Sequence, residues 1–258
     1  MTDALVGVRD DGGIRTITLD SPHNRNALSA QLLDELARAL GDAARAPALR
    51  AIVLTGSGTV FCSGADLSER ESERGVDAPN RMPDILTAIV ESPVPVIARV
   101  NGHARAGGIG LIAASDIAVA PATATFAFTE VRVGVAPAMI LVPALRVMDP
   151  RFLSRMILTG ERFDAAEAAA NGLLSAVVEE GEGALDAWVA AQASALRKSA
   201  PGAVRATKEL ARLLPAHGWA EGLAVAAATS AALFSGEEAA EGMAAFLEKR
   251  APSWDTSS

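Results

Sequence analysis

The chain has 258 residues, of which 50% are hydrophobic and 21% are charged, and its formal net charge is −8. This composition indicates one globular domain with an appended segment, not a disordered chain. The acidic balance, without a long run of lysine and arginine, argues against a nucleic-acid-binding surface. Cys62 is the only cysteine, so an intrachain disulfide is excluded and a reducing, cytoplasmic setting is expected. No signal-peptide pattern or membrane-length apolar run is visible, so no membrane partner is expected.

The first part of the sequence predicts a β-hairpin followed by an α-helix. Residues 4–21 (ALVGVRDDGGIRTITLDS) contain two short β-rich runs joined at Asp11–Gly13, a composition that permits positive φ angles. Ser29 is placed to cap a helix, because apolar residues then recur at the i, i+3, i+4 spacing of one helix face. Those residues are Leu32, Leu33, Leu36, Ala37 and Leu40.

The middle of the chain alternates β-rich and helical segments, which favours an α/β arrangement with ligands near strand ends. After Pro137 the sequence becomes rich in alanine and predicts helices. Asp164 with Glu167 forms one capping-box pattern, and Ser235 with Glu238 forms another before the last helix. The last third is therefore predicted to be helical, with apolar faces suited to subunit contacts.

Residues 101–116 (NGHARAGGIGLIAASD) place three glycines within four positions. Gly108, Gly110 and Ala113 fit the dinucleotide-binding pattern G-x-G-x-x-A, but that motif needs a tight strand-to-helix turn. Here several residues separate the expected strand end at Val100 from Gly108, which disfavours nucleotide binding. Neither a phosphate-binding P-loop nor a G-x-S-x-G nucleophile motif occurs.

A second glycine element, FCSGADLSE at residues 61–69, also follows a strand and precedes a helix. Each of these two strand-to-helix turns, here called corners, can present a free backbone N–H. Two converging N–H groups stabilise a developing oxyanion. A helix that begins near Gly107 would direct the positive end of its dipole toward the same oxyanion. The competing interpretation is that the glycines only allow close packing or a positive φ.

Seven segments, taken in order, resemble the enoyl-CoA hydratase/isomerase (crotonase) superfamily. They are NRNALS (24–29), FCSGADLSE (61–69), VNGHARAGGIGL (100–111), DIAVA (116–120), FAFTEVRVGVAP (126–137), LTGERFDAAEAAANGLLSAVV (158–178) and EGMAAFLEKR (241–250). The resemblance implies an α/β fold, a crotonase-like spiral of ββα units over residues 1–195, followed by a C-terminal helical trimerisation segment over 196–258. It also implies a homotrimer or a dimer of trimers.

The resemblance further implies an acyl-CoA thioester substrate and an oxyanion hole formed by the backbone N–H groups of Ala65 and Gly107. Coenzyme A is part of this substrate, and neither a separate cofactor nor a metal is implied. The positions that match the family's CoA-binding residues are Arg25, Ala27, Ala65, Asp66 and Leu67, with Phe246 and Lys249 expected to reach the CoA of a neighbouring subunit.

One departure from the family pattern bears on the reaction. Of the two glutamates of a typical hydratase, the second is matched by Glu130, whereas the first position holds Gly110. A single glutamate suits hydration of a 2-enoyl-CoA, a lyase reaction of fatty acid metabolism, and this is the favoured interpretation. The alternatives are isomerisation of a 3-enoyl-CoA to a 2-enoyl-CoA, another acyl-CoA reaction and a catalytically impaired acyl-CoA-binding protein. A purely structural Glu130 would be exposed or would pair with Arg132.

Four residues near these motifs have other expected roles. His103 is expected to be structural, because it has no carboxylate or cysteine partner in the sequence. Asp66 is expected to fix the turn after Gly64, and Cys62 is expected to be a small buried side chain. Arg105 is left with three options: a substrate carboxylate, a CoA phosphate or solvent.

Overall fold

The computed structural model describes residues 3–70, 81–179, 181 and 183–255. A hairpin opens the chain, with β1 (Val6–Asp11) antiparallel to β2 (Ile14–Leu19). Gly12 and Gly13 join them with φ angles of +52° and +78°, as a primed hairpin turn requires. Helix α1 (Ala30–Ala44) follows, and the Leu32 N–H donates to Ser29 Oγ at 3.2 Å. The predicted hairpin and helix cap are both confirmed.

Three ββα units then follow in sequence. In the first, β3 (Ala51–Gly56) and β4 (Val60–Cys62) precede α2 (Leu67–Arg70) and α3 (Met82–Val90). In the second, β5 (Val96–Arg99) and β6 (His103–Arg105) precede α4 (Gly107–Ala114). In the third, β7 (Ile117–Pro121) and β8 (Thr125–Ala127) precede a 3₁₀ turn (Glu130–Val133) and α5 (Ala138–Val147).

The two strands of each unit enter different sheets. Within the described residues, one sheet has the order β1-β2-β3-β5-β7-β10 and the other has the order β4-β6-β8-β9, where β9 is Phe163–Asp164 and β10 is Ala176–Val178. Strands β3, β5 and β7 are parallel neighbours, and so are β4, β6 and β8. Each unit therefore advances one place in both sheets, which confirms the predicted spiral of ββα units.

Aromatic side chains fill the core beside the smaller sheet. Phe126, Phe128 and Phe163 are buried, and the ring centroids of Phe126 and Phe163 are 5.5 Å apart. Phe152 meets Phe163 edge to face at 5.3 Å. Each such buried side chain contributes roughly 1.5–3 kcal/mol relative to an exposed one. This packing holds β8 and β9 in place, and β8 leads directly to Glu130.

The rest of the chain is mainly helical, as predicted. Its helices are α6 (Pro150–Thr159), α7 (Ala165–Ala170), α8 (Ala184–Lys198), α9 (Pro201–Leu213), α10 (Trp219–Phe234) and α11 (Glu237–Glu248). Helix α8 runs through residue 195, the predicted boundary between core and helical segment, and the division into two parts remains a prediction. In the described part of the chain, no helix combines the length and the apolar character that a membrane span requires.

The two predicted capping boxes have different outcomes. The Asp164–Glu167 box is confirmed, with the Glu167 N–H donating to Asp164 Oδ1 at 2.8 Å. The Ser235–Glu238 box is wrong, because Ser235 Oγ donates to the Ala232 carbonyl and the N-cap of α11 is the next residue. Glu238 instead accepts the Gly202 N–H, at the first turn of α9, at 2.9 Å.

Polar side chains attach the helical segment to the sheet core. Lys208 Nζ on α9 donates to Asp116 Oδ2 at 2.7 Å and to the Ile89 and Val94 carbonyls at 3.1 and 3.2 Å. At the far end of α8, the Arg50 guanidinium donates to the Leu196 carbonyl at 3.2 Å. A cation at a helix C-terminus interacts favourably with the helix dipole. The helical segment is thus fixed on the core at two places.

Candidate active site

The three principal candidate residues follow three neighbouring strands of the smaller sheet. Because β4, β6 and β8 are parallel neighbours, their C-terminal ends meet at one edge. Ala65, Gly107 and Glu130 each lie two or three residues beyond these ends. The topology therefore brings together the oxyanion-hole pair and the glutamate that the sequence predicts.

The first two corners touch. Gly64 has a φ of +92°, and a Cβ built on it would lie 2.8 Å from the Cβ of Ala106. The Gly64 carbonyl accepts the Leu28 N–H at 2.8 Å, which ties the first corner to the segment before α1. A side chain at residue 64 would therefore push the corners apart, and only glycine allows this approach.

Ala106 has an unusual backbone conformation at the second corner. Its φ is 49° and its ψ is −121°, the conformation of the first central residue of a type II′ turn, where glycine dominates. Such a conformation costs a non-glycine residue about 1–3 kcal/mol. Its carbonyl accepts the Ile109 N–H at 2.9 Å, so the turn leads directly into α4. The strained residue lies directly before Gly107, and backbone strain of this kind is common at functional sites.

Both predicted oxyanion-hole donors lack an acceptor within the part of the chain that the structure describes. Neither the Ala65 N–H nor the Gly107 N–H donates a hydrogen bond to any described residue. Ala65 is exposed and Gly107 is partly exposed. Gly107 is the first residue of α4, and the positive end of the helix dipole lies there. Two free donors and a helix N-terminus thus occupy adjacent corners.

The packing interpretation of the glycines is also correct for part of the stretch. A Cβ on Gly108 would lie 2.8 Å from Cys62 Cβ, so this glycine lets α4 pack on β4. A Cβ on Gly107 would lie 2.6 Å from Leu28 Cδ1. The stretch therefore serves close packing and donor presentation together.

Glu130 is the first residue of the 3₁₀ turn after β8. Its side chain is partly buried, and its Oε2 atom is buried without a hydrogen-bond partner in the part of the chain that the structure describes. Burial raises the pKa of Glu130, and a hydrogen bond from its own backbone N–H opposes this in part. Arg132 does not pair with it, since its Nε donates to the Thr159 carbonyl at 3.3 Å. The exposed or ion-paired interpretation of Glu130 is therefore wrong.

Gly110, where the family's first glutamate would lie, is buried against apolar side chains. A Cβ built on Gly110 would lie 2.5 Å from Ile140 Cγ2 and 3.3 Å from Met82 Cε. A second carboxylate therefore has no room at this position. Sequence reasoning identified Gly110 but missed Ile140 and Met82, because neither belongs to a recognisable motif.

The residues predicted to hold CoA from the main part of the chain lie together. The Ser63 N–H donates to the Arg25 carbonyl at 3.1 Å, and Leu28 forms a β-bridge with Ala65. These bonds gather Arg25, Ala27, Ala65, Asp66 and Leu67 around the first corner, where Arg25 and Leu67 are exposed.

Asp66 fixes this corner, as the sequence predicts. Its carboxylate accepts the Ser68 hydroxyl at 2.6 Å, the Ser68 N–H at 3.0 Å and the Asn24 amide at 3.1 Å. The Ser68 hydroxyl bond is the largest cause of the lowered pKa of Asp66. The sequence analysis missed Asn26, whose buried side-chain amide donates to the Val60 carbonyl at 2.8 Å and holds the same corner.

Phe246 and Lys249 lie at the end of α11. Phe246 is 83% exposed, and Lys249 ends the helix with a φ of +56°. Helix α11 packs on α10 and on the start of α9. The role of both residues in a neighbouring subunit's site stays a prediction.

Three other polar residues nearby are engaged in structure. The Arg105 guanidinium donates to the Ala104 carbonyl and to Thr125 Oγ1, both at 2.8 Å, so it is bound to the strands and not directed to solvent. His103 Nδ1 accepts the Thr125 N–H at 3.2 Å, in agreement with a structural role. Burial raises the pKa of the Cys62 thiol to about 12, which leaves it inert.

Comparisons with known proteins give the family and the fold. A family model described as enoyl-CoA hydratase/isomerase matches residues 9–257. A putative enoyl-CoA hydratase of Thermus thermophilus is 35% identical over 249 residues, which cover 94% of this chain and 98% of that protein. The fold is similar to the crystal structure of an enoyl-CoA hydratase of Mycobacterium smegmatis, with a TM-score of 0.90 and 35% identity over 98% and 99% of the chains. It is also similar to human enoyl-CoA hydratase domain-containing protein 3, with a TM-score of 0.91 and 32% identity over 97% and 100%.

Proposed function

The chain belongs to the enoyl-CoA hydratase/isomerase family, and we propose that it adds water to a 2-enoyl-CoA thioester with Glu130 as its single catalytic glutamate. The observation that carries this proposal is the carboxylate of Glu130, which is partly buried, has no hydrogen-bond partner at Oε2 among the described residues and has a pKa raised by burial. Perturbed carboxylates in clefts are typical of acid–base catalysts. The similar proteins of Thermus thermophilus and Mycobacterium smegmatis, both named as enoyl-CoA hydratases, support the choice of reaction.

The two corners supply the binding site for the thioester oxygen. The free N–H groups of Ala65 and Gly107 would donate to that oxygen as negative charge develops on it. Loss of one such donor in comparable sites costs about 10²- to 10³-fold in rate. The positive end of the α4 helix dipole would stabilise the same negative charge. Arg25, exposed beside the first corner, offers a cation to the CoA phosphates.

In the proposed reaction, Glu130 takes a proton from water while the water oxygen bonds to Cβ of the enoyl group. The π electrons of the double bond move toward the thioester, and an enolate forms whose oxygen is bound by the two N–H groups. The protonated Glu130 then gives its proton to Cα, and the thioester carbonyl forms again. One water has been added and Glu130 is restored. A carboxyl pKa raised toward the working pH suits both transfers.

Isomerisation is the second candidate, and the apolar surroundings of Gly110 favour it. The side chain of Ile140 offers no hydrogen-bonding group and that of Met82 only a weakly accepting thioether sulfur, so neither orients a water well from the α4 side. In this reaction Glu130 takes a proton from Cα of a 3-enoyl-CoA and returns it to Cγ through the same enolate. Isomerisation consumes no water, so an apolar surface beside the enolate is compatible with this reaction.

The deciding experiment incubates the purified protein with matched 2-enoyl-CoA and 3-enoyl-CoA compounds and follows the products by mass and by loss or gain of conjugation. Hydration adds the mass of one water, whereas isomerisation leaves the mass unchanged. Glu130→Gln should abolish either reaction, and Glu209→Gln on the exposed face of α9 is the matched control. If CoA esters bind and none reacts, the protein is an acyl-CoA-binding protein without turnover and the proposal is wrong.

A further inference from the structure

The space beside Gly110 forms one end of a continuous apolar wall. The three heavy atoms nearest to a Cβ built on Gly110 are carbons of Ile140 and Met82. Those nearest to a Cβ built on Gly107 are carbons of Leu28 and Met82, with Met82 Cε at 3.6 Å. The methyl group of Met82 thus joins the surroundings of both glycines. The apolar wall, defined as Leu28, Met82 and Ile140, runs along α4 from the oxyanion corner inward.

The wall is built from three separate elements and is well buried. Leu28 precedes α1 and bridges Ala65, Met82 begins α3, and Ile140 lies in the first turn of α5. Their exposed fractions are only 7%, 5% and 3%. The wall is therefore a fixed part of the packing between α4 and its neighbours.

Ile140 is the rigid member of this wall. Its Cγ2 and Cβ atoms, at 2.5 and 2.8 Å from the Gly110 Cβ position, lie close to the backbone of α5. A β-branched side chain in a helix has one strongly preferred χ1 rotamer, so Ile140 cannot swing aside. Met82 contributes the far end of a flexible side chain and can adapt. The exclusion at Gly110 thus depends chiefly on Ile140.

A water molecule is held in a protein site only where about two to four polar groups bind it. Along α4 the side chains of Leu28 and Ile140 supply no polar group, and Met82 supplies only a weakly accepting thioether sulfur, so this side of the site adds little to the binding of a water by Glu130. Resting on the proposed function, we propose that Ile140 is a specificity-determining residue: it keeps the α4 side of the enolate dry and so shifts turnover from hydration toward isomerisation.

The test compares Ile140→Thr with Ile140→Val, two variants of nearly the same shape that differ in one hydroxyl group. For each protein, kcat/KM is measured for hydration of a 2-enoyl-CoA and for isomerisation of the matching 3-enoyl-CoA. The threonine oxygen would accept one hydrogen of a water whose other hydrogen is bound by Glu130. One added hydrogen bond predicts a rise in the hydration-to-isomerisation ratio of about tenfold in the threonine variant over the valine variant.

Val142→Thr makes the same kind of change on the exposed face of α5 and should leave the ratio within about twofold of the wild type. An equal ratio in the two Ile140 variants, with wild-type turnover intact, would overturn the role of Ile140 and leave the proposed function standing. Absence of both reactions in the wild type would overturn the proposed function and the Ile140 role with it.

A second measurement tests the wall without relying on turnover. Gly110→Ala should lower the melting temperature, because its Cβ meets Ile140 Cγ2, and Ile140→Ala removes that atom. The double variant should therefore lose less stability than the sum of the two single variants. Strictly additive losses would show that the two residues do not compete for this space, and the proposal would be rejected.

Discussion

Gly64 and Ala106 lie so close that a Cβ on Gly64 would be 2.8 Å from the Ala106 Cβ. This contact joins the corner after β4 to the corner after β6, and these corners carry Ala65 and Gly107. The relative position of the two proposed oxyanion donors therefore depends on a residue that is not itself proposed to touch the substrate.

Gly64→Ala should damage catalysis more than a comparable glycine substitution elsewhere. The new Cβ must displace Ala106, and a shift of about 1 Å at an oriented site can cost on the order of 10²-fold in kcat/KM. Gly183→Ala is the control, because Gly183 also has a positive φ, +78°, but nothing lies within 4 Å of its Cβ position. Both variants should lose about 1 kcal/mol or more of stability. Equal, small effects of both variants on kcat/KM would contradict the inferred contact.

Ala106→Gly should stabilise the protein. A φ of 49° with a ψ of −121° is easy for glycine, so the substitution relieves about 1–3 kcal/mol of strain in the folded state. Glycine also raises the conformational entropy of the unfolded chain, which lowers the stability by about 0.5–1 kcal/mol. The free energy of unfolding, measured with urea, should rise by about 1 kcal/mol. Ala106→Val should lower it, because a β-branched residue tolerates this conformation least. A loss of stability in the glycine variant would show that Ala106 is not strained.

The sequence predicted best those features that depend on neighbours along the chain. Ser29 and Asp164 cap helices through bonds to residues three positions away, so their patterns are visible locally. Glu238 has the same local pattern, yet it binds the backbone of Gly202, thirty-six residues earlier. A competing partner supplied by the tertiary fold cannot be read from the local pattern, so this box was predicted wrongly.

The candidate site shows the same limit. Glu130 and the two glycine corners lie in motifs, so the resemblance identified them before the fold was known. Ile140 lies in an ordinary apolar helix face, and only the packing of α5 on α4 brings it to Gly110. The backbone angles of Ala106 were also not predictable, because alanine is normally excluded from that conformation.

Glu130→Gln should separate activity from stability. Turnover should fall by about 10²- to 10⁴-fold, the usual worth of a positioned acid–base group. Burial raises the folded-state pKa of Glu130, so the ionised form disfavours the folded protein once the pH exceeds that pKa. The glutamine variant should therefore melt at a higher temperature than the wild type at about pH 8, and the difference should shrink toward about pH 4. A lower melting temperature at the higher pH would argue that the ionised carboxylate is stabilised by a partner.

Lys208→Met should loosen the helical segment. The substitution removes a largely buried ammonium that binds the Asp116 carboxylate and the Ile89 and Val94 carbonyls. Loss of hydrogen bonds from a charged group costs about 1.5–3 kcal/mol. Lys198→Met, at an exposed position of α8, is the matched control and should change the stability by about 0.5 kcal/mol or less. Similar unfolding free energies for the two variants would show that Lys208 does not anchor α9.

Leu247→Asp should weaken self-association. Trp219, Phe234, Phe246 and Leu247 on α10 and α11 are 85%, 70%, 83% and 79% exposed, and such a concentration of apolar surface suits contacts with other copies of the chain. The protein should sediment as a trimer or a hexamer at micromolar concentration. Burial of one leucine contributes about 1.5–3 kcal/mol, so a charge at residue 247 should weaken association by at least about tenfold. Val8→Asp on the exposed side of the hairpin is the control. A wild-type protein that sediments as a monomer would contradict both the oligomer and the cross-subunit role of Phe246 and Lys249.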